Sequence, residues 1–276
     1  MKINILSSSI KRDIIDNLKE NKRLDNREFY QHRELEIETG VIEKANGSAR
    51  VKLGDTEVIA GIKIESIRPY PDSPNEGLLM VNAEILPIAG QEYEPGPPQP
   101  NTIELSRVSD RGIRESGMVD FKSMVIKEGE HVYSVFADVA IINDAGNLFD
   151  ATSYSIAAAL LTTNKPIIEQ DGDGIKTLDE SEKLKIETIP IATTFAKIDN
   201  SIIIDPTKNE EGIMSARLTL VTNTDGTFVA AQKGNPGSFT IDEIKELTNI
   251  SKEKGAVIRN IIKDRVEKWQ KNSQIQ

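Results

Sequence analysis

The chain has 276 residues and a formal net charge of −10, with 34 Lys and Arg against 44 Asp and Glu. Such a charge repels nucleic acid from the surface as a whole, so contact with a polyanion requires a local basic patch or a partner chain. Cysteine is absent, which excludes disulfides, zinc–thiolate sites, iron–sulfur clusters and thiol nucleophiles.

Signals for membrane insertion or secretion are not visible. The apolar runs are too short to cross a bilayer, and the N-terminal one is too short for the core of a signal peptide. We therefore expect a soluble, cytoplasmic protein that contacts no membrane.

A helix and a hairpin are predicted at the start of the chain. Ile10, Ile14 and Leu18 follow a capping serine at helical spacing. Two runs of alternating apolar residues then flank the turn-forming pair Asn46-Gly47. Apolar alternation places the strands of the first half in five segments: 35–41, 49–53, 58–64, 78–88 and 132–142.

Two further helices are expected around a proline-rich loop. The segment 94–100 is predicted to be a surface loop, because its prolines lack N–H donors and have a fixed φ. A helix follows it, with Asn101 and Glu104 placed as a capping box. The segment 151–161, rich in alanine and leucine, predicts a buried helix.

The second half begins after an acidic, glycine-containing stretch, 169–183, which predicts a boundary between two units. Strand patterns follow at 189–198, 202–205, 217–221 and 227–232, the last two flanking a turn at 223–226. A long final helix is expected, capped by Thr240 and Glu243. Its predicted apolar stripe comprises Ile244, Leu247, Val257, Ile261 and Ile262.

These elements favour an α+β fold. Strands outnumber helices and many form consecutive hairpins, which is not typical of a doubly wound parallel sheet. We expect two domains, 1–180 and 181–276.

Common catalytic motifs are missing from the sequence. The two histidines, His32 and His131, lie far apart and outside any metal-binding or triad pattern, which favours structural or surface roles. No phosphate-binding glycine loop is present, and Gly172-x-Gly174 is an acidic turn that would repel phosphate. No cofactor or bound metal is expected.

A carboxylate group, Asp205, Glu210 and Glu211, follows a predicted strand. Closely placed acids can bind Mg²⁺ or supply a general acid. The same pattern is typical of a charged, solvated loop, so both interpretations stay open.

An arginine row lies on the helix predicted after the proline loop. Arg107, Arg111 and Arg114 fall within one wedge of about 60°, and guanidinium groups suit phosphate contacts. Their acidic neighbours on the helix, Glu104, Asp110 and Glu115, are alternatively placed to neutralise them as surface pairs.

Several longer strings, taken together, resemble the RNase PH family. They are LDNREFYQHRELEI, NGSARVKLGDTEVIAGIK, NEGLLMVN and EPGPPQPNTIELSRVSDRGIRES. The strings NDAGNLFDAT and IIIDPTKNEEGIMSARL make the chain similar, within that family, to the non-catalytic RNase PH-like subunits of archaeal exosomes. The resemblance extends from about Arg23 to the final helix.

The resemblance implies a fold and a set of partners. The fold is an RNase PH fold, with an N-terminal domain like ribosomal protein S5, 1–180, and a smaller C-terminal α/β domain, 181–276. The partners implied are a homologous catalytic subunit, alternating with this chain in a hexameric ring, RNA-binding cap proteins and single-stranded RNA. Arg107 and Arg111, with Arg114 as a weaker candidate, are the implied RNA contacts.

Two departures from the active members of the family imply a catalytically silent chain. Where they carry a Gly-Thr-Arg or Gly-Ser-Arg phosphate turn, this chain has Gly146, Asn147 and Leu148, and Leu148 has no donor. Where they carry two aspartates, it has Glu211 and Arg217, and a guanidinium cannot act as a general acid at neutral pH.

The sequence is compatible with three functions. The favoured one is a silent, RNA-contacting subunit of a phosphorolytic 3′→5′ exoribonuclease ring. An exoribonuclease active by itself, with Asp205, Glu210 and Glu211 replacing the usual pair, is disfavoured by Leu148 and Arg217. An adaptor without RNA contact agrees with the net charge but not with the arginine row.

Overall fold

Five α-helices and twelve β-strands make up the part of the chain that the computed structural model describes, residues 8–172 and 174–273. The helices are α1 (Ser8–Lys19), α2 (Pro100–Arg114), α3 (Leu148–Leu161), α4 (Lys208–Glu211) and α5 (Ile241–Ser273). The strands are β1 (Leu35–Thr39), β2 (Gly47–Leu53), β3 (Thr56–Ile67), β4 (Leu78–Ile85), β5 (Val125–Lys127), β6 (His131–Asn143), β7 (Asn164–Asp171), β8 (Gly174–Lys183), β9 (Ile191–Ile198), β10 (Ser201–Ile204), β11 (Ala216–Thr222) and β12 (Phe228–Gly234). None of the described helices is long and apolar enough to span a bilayer.

The larger sheet has the strand order β1-β2-β3-β6-β4, with β5 paired to β6. Neighbouring strands are antiparallel except β4 and β6, which run parallel. Helix α3 packs on β2 and β3, and α2 packs on β4. The apolar core lies between these layers and includes the fully buried Val51, Ala60, Ile141 and Ala158.

The smaller sheet has the order β10-β9-β11-β12, entirely antiparallel. Helix α5 packs on β9 and β11, while α3 also contacts β9, and α2 also contacts α3 and β12. Helices α2 and α3 therefore bridge the two sheets. The arginine row and the turn before α3 both lie at this junction.

The α+β class predicted from the sequence is confirmed. The first helix is also present, with Ile14 and Leu18 buried, although Ile10 is exposed. Its capping serine lies outside the described residues.

The predicted turn at Asn46-Gly47 is wrong in detail. Gly47 already belongs to β2, and the connection covers 40–46, entered through Gly40 at φ +71°. A Cβ at Gly47 would lie 2.2 Å from the Thr163 hydroxyl and 2.5 Å from the Ala159 carbonyl oxygen. The glycine therefore permits close approach of the strand to the end of α3.

The capping box predicted for α2 is also wrong. Gln99 is the N-cap residue without a side-chain cap, and Pro100 occupies the first turn, where its missing N–H costs nothing. The box predicted for α5 is present: Glu243 N–H donates to the Thr240 hydroxyl, and Thr240 N–H donates to the Glu243 carboxylate.

One further expectation differs from the structure in part. The described residues of the stretch 169–183, predicted as a boundary, lie in the antiparallel hairpin β7–β8, and the boundary itself stays a prediction. On α5, Leu247 and Ile262 are fully buried, but Ile244 and Val257 are exposed. Ile258 is buried instead of Val257, because one residue rotates a side chain by about 100° around the helix.

Candidate functional site

Two arginines on α2 carry free guanidinium groups. Arg107 and Arg111 are exposed, and neither forms an ion pair or hydrogen bond with the described residues. Arg114 differs, because its Nη2 lies 2.7 Å from Asp110 Oδ1 and donates to the Leu79 carbonyl oxygen. The row predicted from helical periodicity is thus present, with two of its three charges unpaired.

The neutralising surface pairs form only in part. Asp110 pairs with Arg114 at the i,i+4 spacing. Glu104 instead accepts from Arg217 at 2.5 Å and from the Gln232 amide at 3.0 Å, and both donors come from the smaller sheet. Among the described residues Glu115 forms no ion pair. Arg107 and Arg111 are therefore not neutralised by their helical neighbours.

The turn before α3 is occupied by the chain's own carboxylate. Gly146 has a φ of +98°, and a Cβ at this position would lie 2.5 Å from the backbone nitrogen of Lys208, so the turn requires glycine here. The backbone N–H of Asn147, at the N-cap, donates to Glu211 Oε1 at 2.8 Å. Leu148 packs against the apolar core. The end of α3 that favours an anion thus already holds one.

Glu211 has an unusual titration. Burial and the neighbouring Asp144 carboxylate raise its pKa to about 7, against the opposing effects of the Asn147 N–H, Lys208 and Arg217. Lys208 also forms ion pairs with Asp144 and Glu92, and hydrogen-bonds Tyr93. Glu211 therefore loses its proton around neutral pH and not in the acid range of an exposed glutamate.

This titration predicts a stability change with pH. The pKa of Glu211 is about 7 in the folded chain and 4.5 without these neighbours, so the folded state binds more protons between these values. Stability from this group is complete below about pH 4.5 and is lost as pH rises through 7. We expect the wild type to lose stability relative to Glu211→Gln as pH rises. The difference between their free energies of unfolding should change by about 3 kcal/mol between pH 4 and 8. Urea unfolding at several pH values measures it, and parallel pH curves for the two proteins would contradict it.

Asp205 is the acceptor at the centre of a buried ion-pair network. Its side chain is fully buried and accepts from Arg27 Nη1 at 2.9 Å, Arg33 Nη2 at 2.7 Å and Asn147 Nδ2 at 2.8 Å. Burial alone would raise its pKa, but the hydrogen bond from Arg33 and the charges of Arg33 and Arg27 hold the pKa at about 2. Asp205 is therefore ionised throughout the neutral range.

Glu210 is held in a second buried pair. Arg23 donates to it through Nε at 2.9 Å and Nη2 at 2.6 Å, and both side chains are almost fully buried. Glu210 also closes a capping box with Thr207 at the start of α4. The interpretation of Asp205, Glu210 and Glu211 as a solvated loop is therefore wrong. The described residues also contain no group of three acidic or histidine side chains placed to hold a metal ion. Asp205, Glu210 and Glu211 therefore do not form a magnesium site in this arrangement.

Arg217 is a buried cation on β11. Its residue is 8% exposed, its guanidinium carbon lies 4.0 Å from the centroid of the Phe149 ring, and its Nη2 pairs with Glu104. A guanidinium keeps its proton at neutral pH and repels a divalent cation. At this position the chain offers neither a general acid nor a metal ligand.

The comparisons with known proteins agree with this geometry. The family model for the 3′ exoribonuclease family, domain 1, matches residues 31–166, and that for domain 2 matches residues 188–254. The chain belongs to the RNase PH family of 3′ exoribonucleases. The resemblance found in the sequence and the two-domain RNase PH fold are thereby confirmed.

Two proteins similar to this RNase PH-family chain share a name. Exosome complex component Rrp42 of Thermococcus kodakarensis is 46% identical over 258 residues, covering 92% of this chain and 94% of the relative. The protein of the same name from Methanosarcina mazei is 43% identical, covering 94% and 96%. A chain of the Archaeoglobus fulgidus exosome with RNA bound to the active site superposes with a TM-score of 0.85 at 41% identity, covering 91% of this chain and 97% of that one.

The sequence did not show which residues contact the turn 146–148 and the carboxylates after β10. The Nε2 atom of His32, which the sequence predicts to be structural, lies 4.0 Å from Asp150 Oδ2 and 3.5 Å from the Tyr154 hydroxyl. Burial lowers the pKa of His32 to about 4. The arginines that hold Asp205 and Glu210 were also missed. Their one visible signal is the density of arginine in 23–33 of an acidic chain.

Proposed function

We propose that this chain is a catalytically silent, RNA-contacting subunit of an exosome-type 3′→5′ exoribonuclease. In this proposal it alternates with a homologous catalytic chain in a six-membered ring, which also binds RNA-binding cap proteins. Relatives with this name and fold support the complex, because one solved structure is an archaeal exosome with RNA at its active site.

The observation that carries the proposal is the Glu211 carboxylate on the Asn147 N–H. Phosphorolysis of RNA, the chemistry implied by the family, needs donors that hold inorganic phosphate and an acid that protonates the leaving 3′-oxygen. Here the Asn147 N–H at the start of α3 binds Glu211, the side chain of Leu148 adds no donor, and Arg217 stands where active members of the family carry a carboxylate. Phosphate and metal are both disfavoured.

The RNA contact is supported by the charges of α2. Arg107 and Arg111 are exposed and unpaired within the described part of the chain, although the chain as a whole is strongly acidic. Free guanidinium groups side by side on a helix suit successive phosphates of a single strand. Through them a silent subunit can bind the RNA that its partner cleaves.

The isolated chain is expected to release no nucleoside diphosphate from poly(A) at any phosphate concentration, because Glu211 occupies the turn where phosphate would bind and Arg217 stands at the second carboxylate position. The measurement is phosphate-dependent product release, compared with that of the complex with its catalytic partner. Release by the purified chain that rises in proportion to its concentration, without partner contamination, would show that it is an enzyme.

The ring makes a separate prediction. Edge strands of a sheet normally require a cover, and β12 is one of the two edges of the smaller sheet. We expect native mass measurement of the co-expressed pair to show three copies of each chain. A complex that stays at one copy of each would contradict the ring, and failure of the two chains to bind would contradict the partnership.

A further inference from the structure

Glu104 lies on the same face of α2 as the free arginines. At 100° per residue it is about 60° from Arg107 and about 20° from Arg111 around the helix axis. It is also one turn before Arg107, at a spacing that allows an ion pair. A carboxylate at this place would compete with RNA phosphates for Arg107 and would place a negative charge on the same face as Arg111.

Two hydrogen-bond donors from the smaller sheet hold the Glu104 carboxylate away from the free arginines. Arg217 Nη2 on β11 lies 2.5 Å from Glu104 Oε1, and Gln232 Nε2 on β12 donates to the same oxygen at 3.0 Å. Arg217 supplies the compensating charge, and its guanidinium is fixed by stacking on Phe149. The carboxylate therefore faces the sheet with its charge neutralised.

The smaller sheet leaves space for this guanidinium. Gly234 is the register partner of Arg217 across β11 and β12. A Cβ at Gly234 would lie 2.7 Å from Arg217 Nη2, closer than side-chain atoms pack. The absence of a side chain at Gly234 thus lets Arg217 lie across β12 toward α2.

We propose that Arg217 is a positioning residue for RNA binding, which holds Glu104 away from Arg107 and Arg111. This inference rests on the proposed function and adds a residue that need not touch RNA itself. Two of the three carboxylates beside the arginine row then have their own partners, Glu104 with Arg217 and Asp110 with Arg114, and Glu115 forms no ion pair among the described residues. Arg107 and Arg111 keep their full charge for phosphate.

The test uses the complex of this chain with its catalytic partner and a single-stranded oligoadenylate. Arg217→Gln frees Glu104 to pair with Arg107 or Arg111, so affinity at low salt falls about fivefold, the equivalent of one exposed ion pair. The slope of log K against log salt also falls by about 0.7, the value for one lost single-strand phosphate contact.

A second substitution separates positioning from contact. Glu104→Gln together with Arg217→Gln removes the competing carboxylate, so affinity and slope return to the wild-type values. If Arg217 itself contacts RNA, or merely stabilises the fold, the double variant binds RNA as weakly as Arg217→Gln, and the inference is wrong.

Glu104→Gln alone tests the inference while Arg217 stays unchanged. An RNA affinity within about twofold of wild type supports the inference, since a neutralised Glu104 does not compete with RNA. A rise of fivefold or more overturns it.

The double variant Arg107→Gln with Arg111→Gln is the reference that tests the proposed RNA contact itself. If this reference binds RNA as tightly as wild type, the proposed RNA contact is wrong, and so is the positioning role that depends on it. If the reference weakens binding while Arg217→Gln leaves affinity and slope unchanged in an assembled complex, only the positioning role is overturned.

Discussion

A complex that carries Arg107→Glu and Arg111→Glu is expected to assemble normally but to lose RNA affinity by on the order of a hundredfold at low salt, because like charges then face each other. Turnover at limiting RNA falls with it. The reason is that the two unpaired cations of α2 become anions, and Arg114 is already occupied by Asp110. Binding of a labelled oligoadenylate and release of nucleoside diphosphate measure the two effects.

The matched control is Lys263→Glu with Arg265→Glu. Both side chains are exposed on α5, and the change in net charge is the same. This control separates the position of the charge from the total charge, so we expect it to bind RNA within a few-fold of wild type. An intact complex with Glu at 107 and 111 that degrades RNA at the wild-type rate would contradict the contact. Equal losses of RNA affinity in both variants would show that the total charge repels RNA and that Arg107 and Arg111 make no specific contact.

Asp205→Asn is expected to be the most destabilising single substitution among the carboxylates after β10. One buried acceptor serves Arg27, Arg33 and Asn147, and its loss leaves Arg33 without a counter-charge and Arg27 with Asp25 as its one ion-pair partner among the described residues. Breaking a buried pair in this way costs about 3–5 kcal/mol. Urea unfolding of the chain measures it, with Asp179→Asn, exposed on β8, as the control within about 0.5 kcal/mol of wild type.

The acid limb of the stability curve provides a check on this account. The pKa of Asp205 is about 2 in the folded chain and 3.8 without its partners, so the stability from its charge is complete above about pH 4. That stability is lost as pH falls through 2. The difference between wild type and Asp205→Asn is therefore expected to shrink in acid. A loss below about 1 kcal/mol at pH 7 would show that the network is not needed for stability.

The elements that the sequence predicts correctly are those whose signals are local. Alternating residues identify β2 and β3, and Thr240 with Glu243 identifies the start of α5. Some errors, such as the turn predicted at Gly47, arise where a partner distant in sequence decides the role of a residue. Gly47 looks like a turn glycine until the end of α3 is placed against it.

The same distinction explains the candidate site. Helical spacing predicts the arginine row, but the identity of the free arginines depends on Glu104, whose partner Arg217 lies 113 positions away. Asp205 is held by Arg27 from 178 positions away, so nothing near it in sequence distinguishes a buried network from a solvated loop. Recognition of the family supplied the meaning of Glu211 and Arg217, and the structure supplies their contacts.

The central claim, that a silent chain binds RNA phosphates through Arg107 and Arg111, is tested most directly by salt dependence. The measurement is the affinity of the assembled complex for a single-stranded oligoadenylate between 50 and about 300 mM salt, for wild type and for Arg107→Gln with Arg111→Gln. We expect the slope of log K against log salt to be smaller by about 1.4 in the variant, which is about 0.7 for each lost contact. An unchanged slope in an intact complex would contradict it.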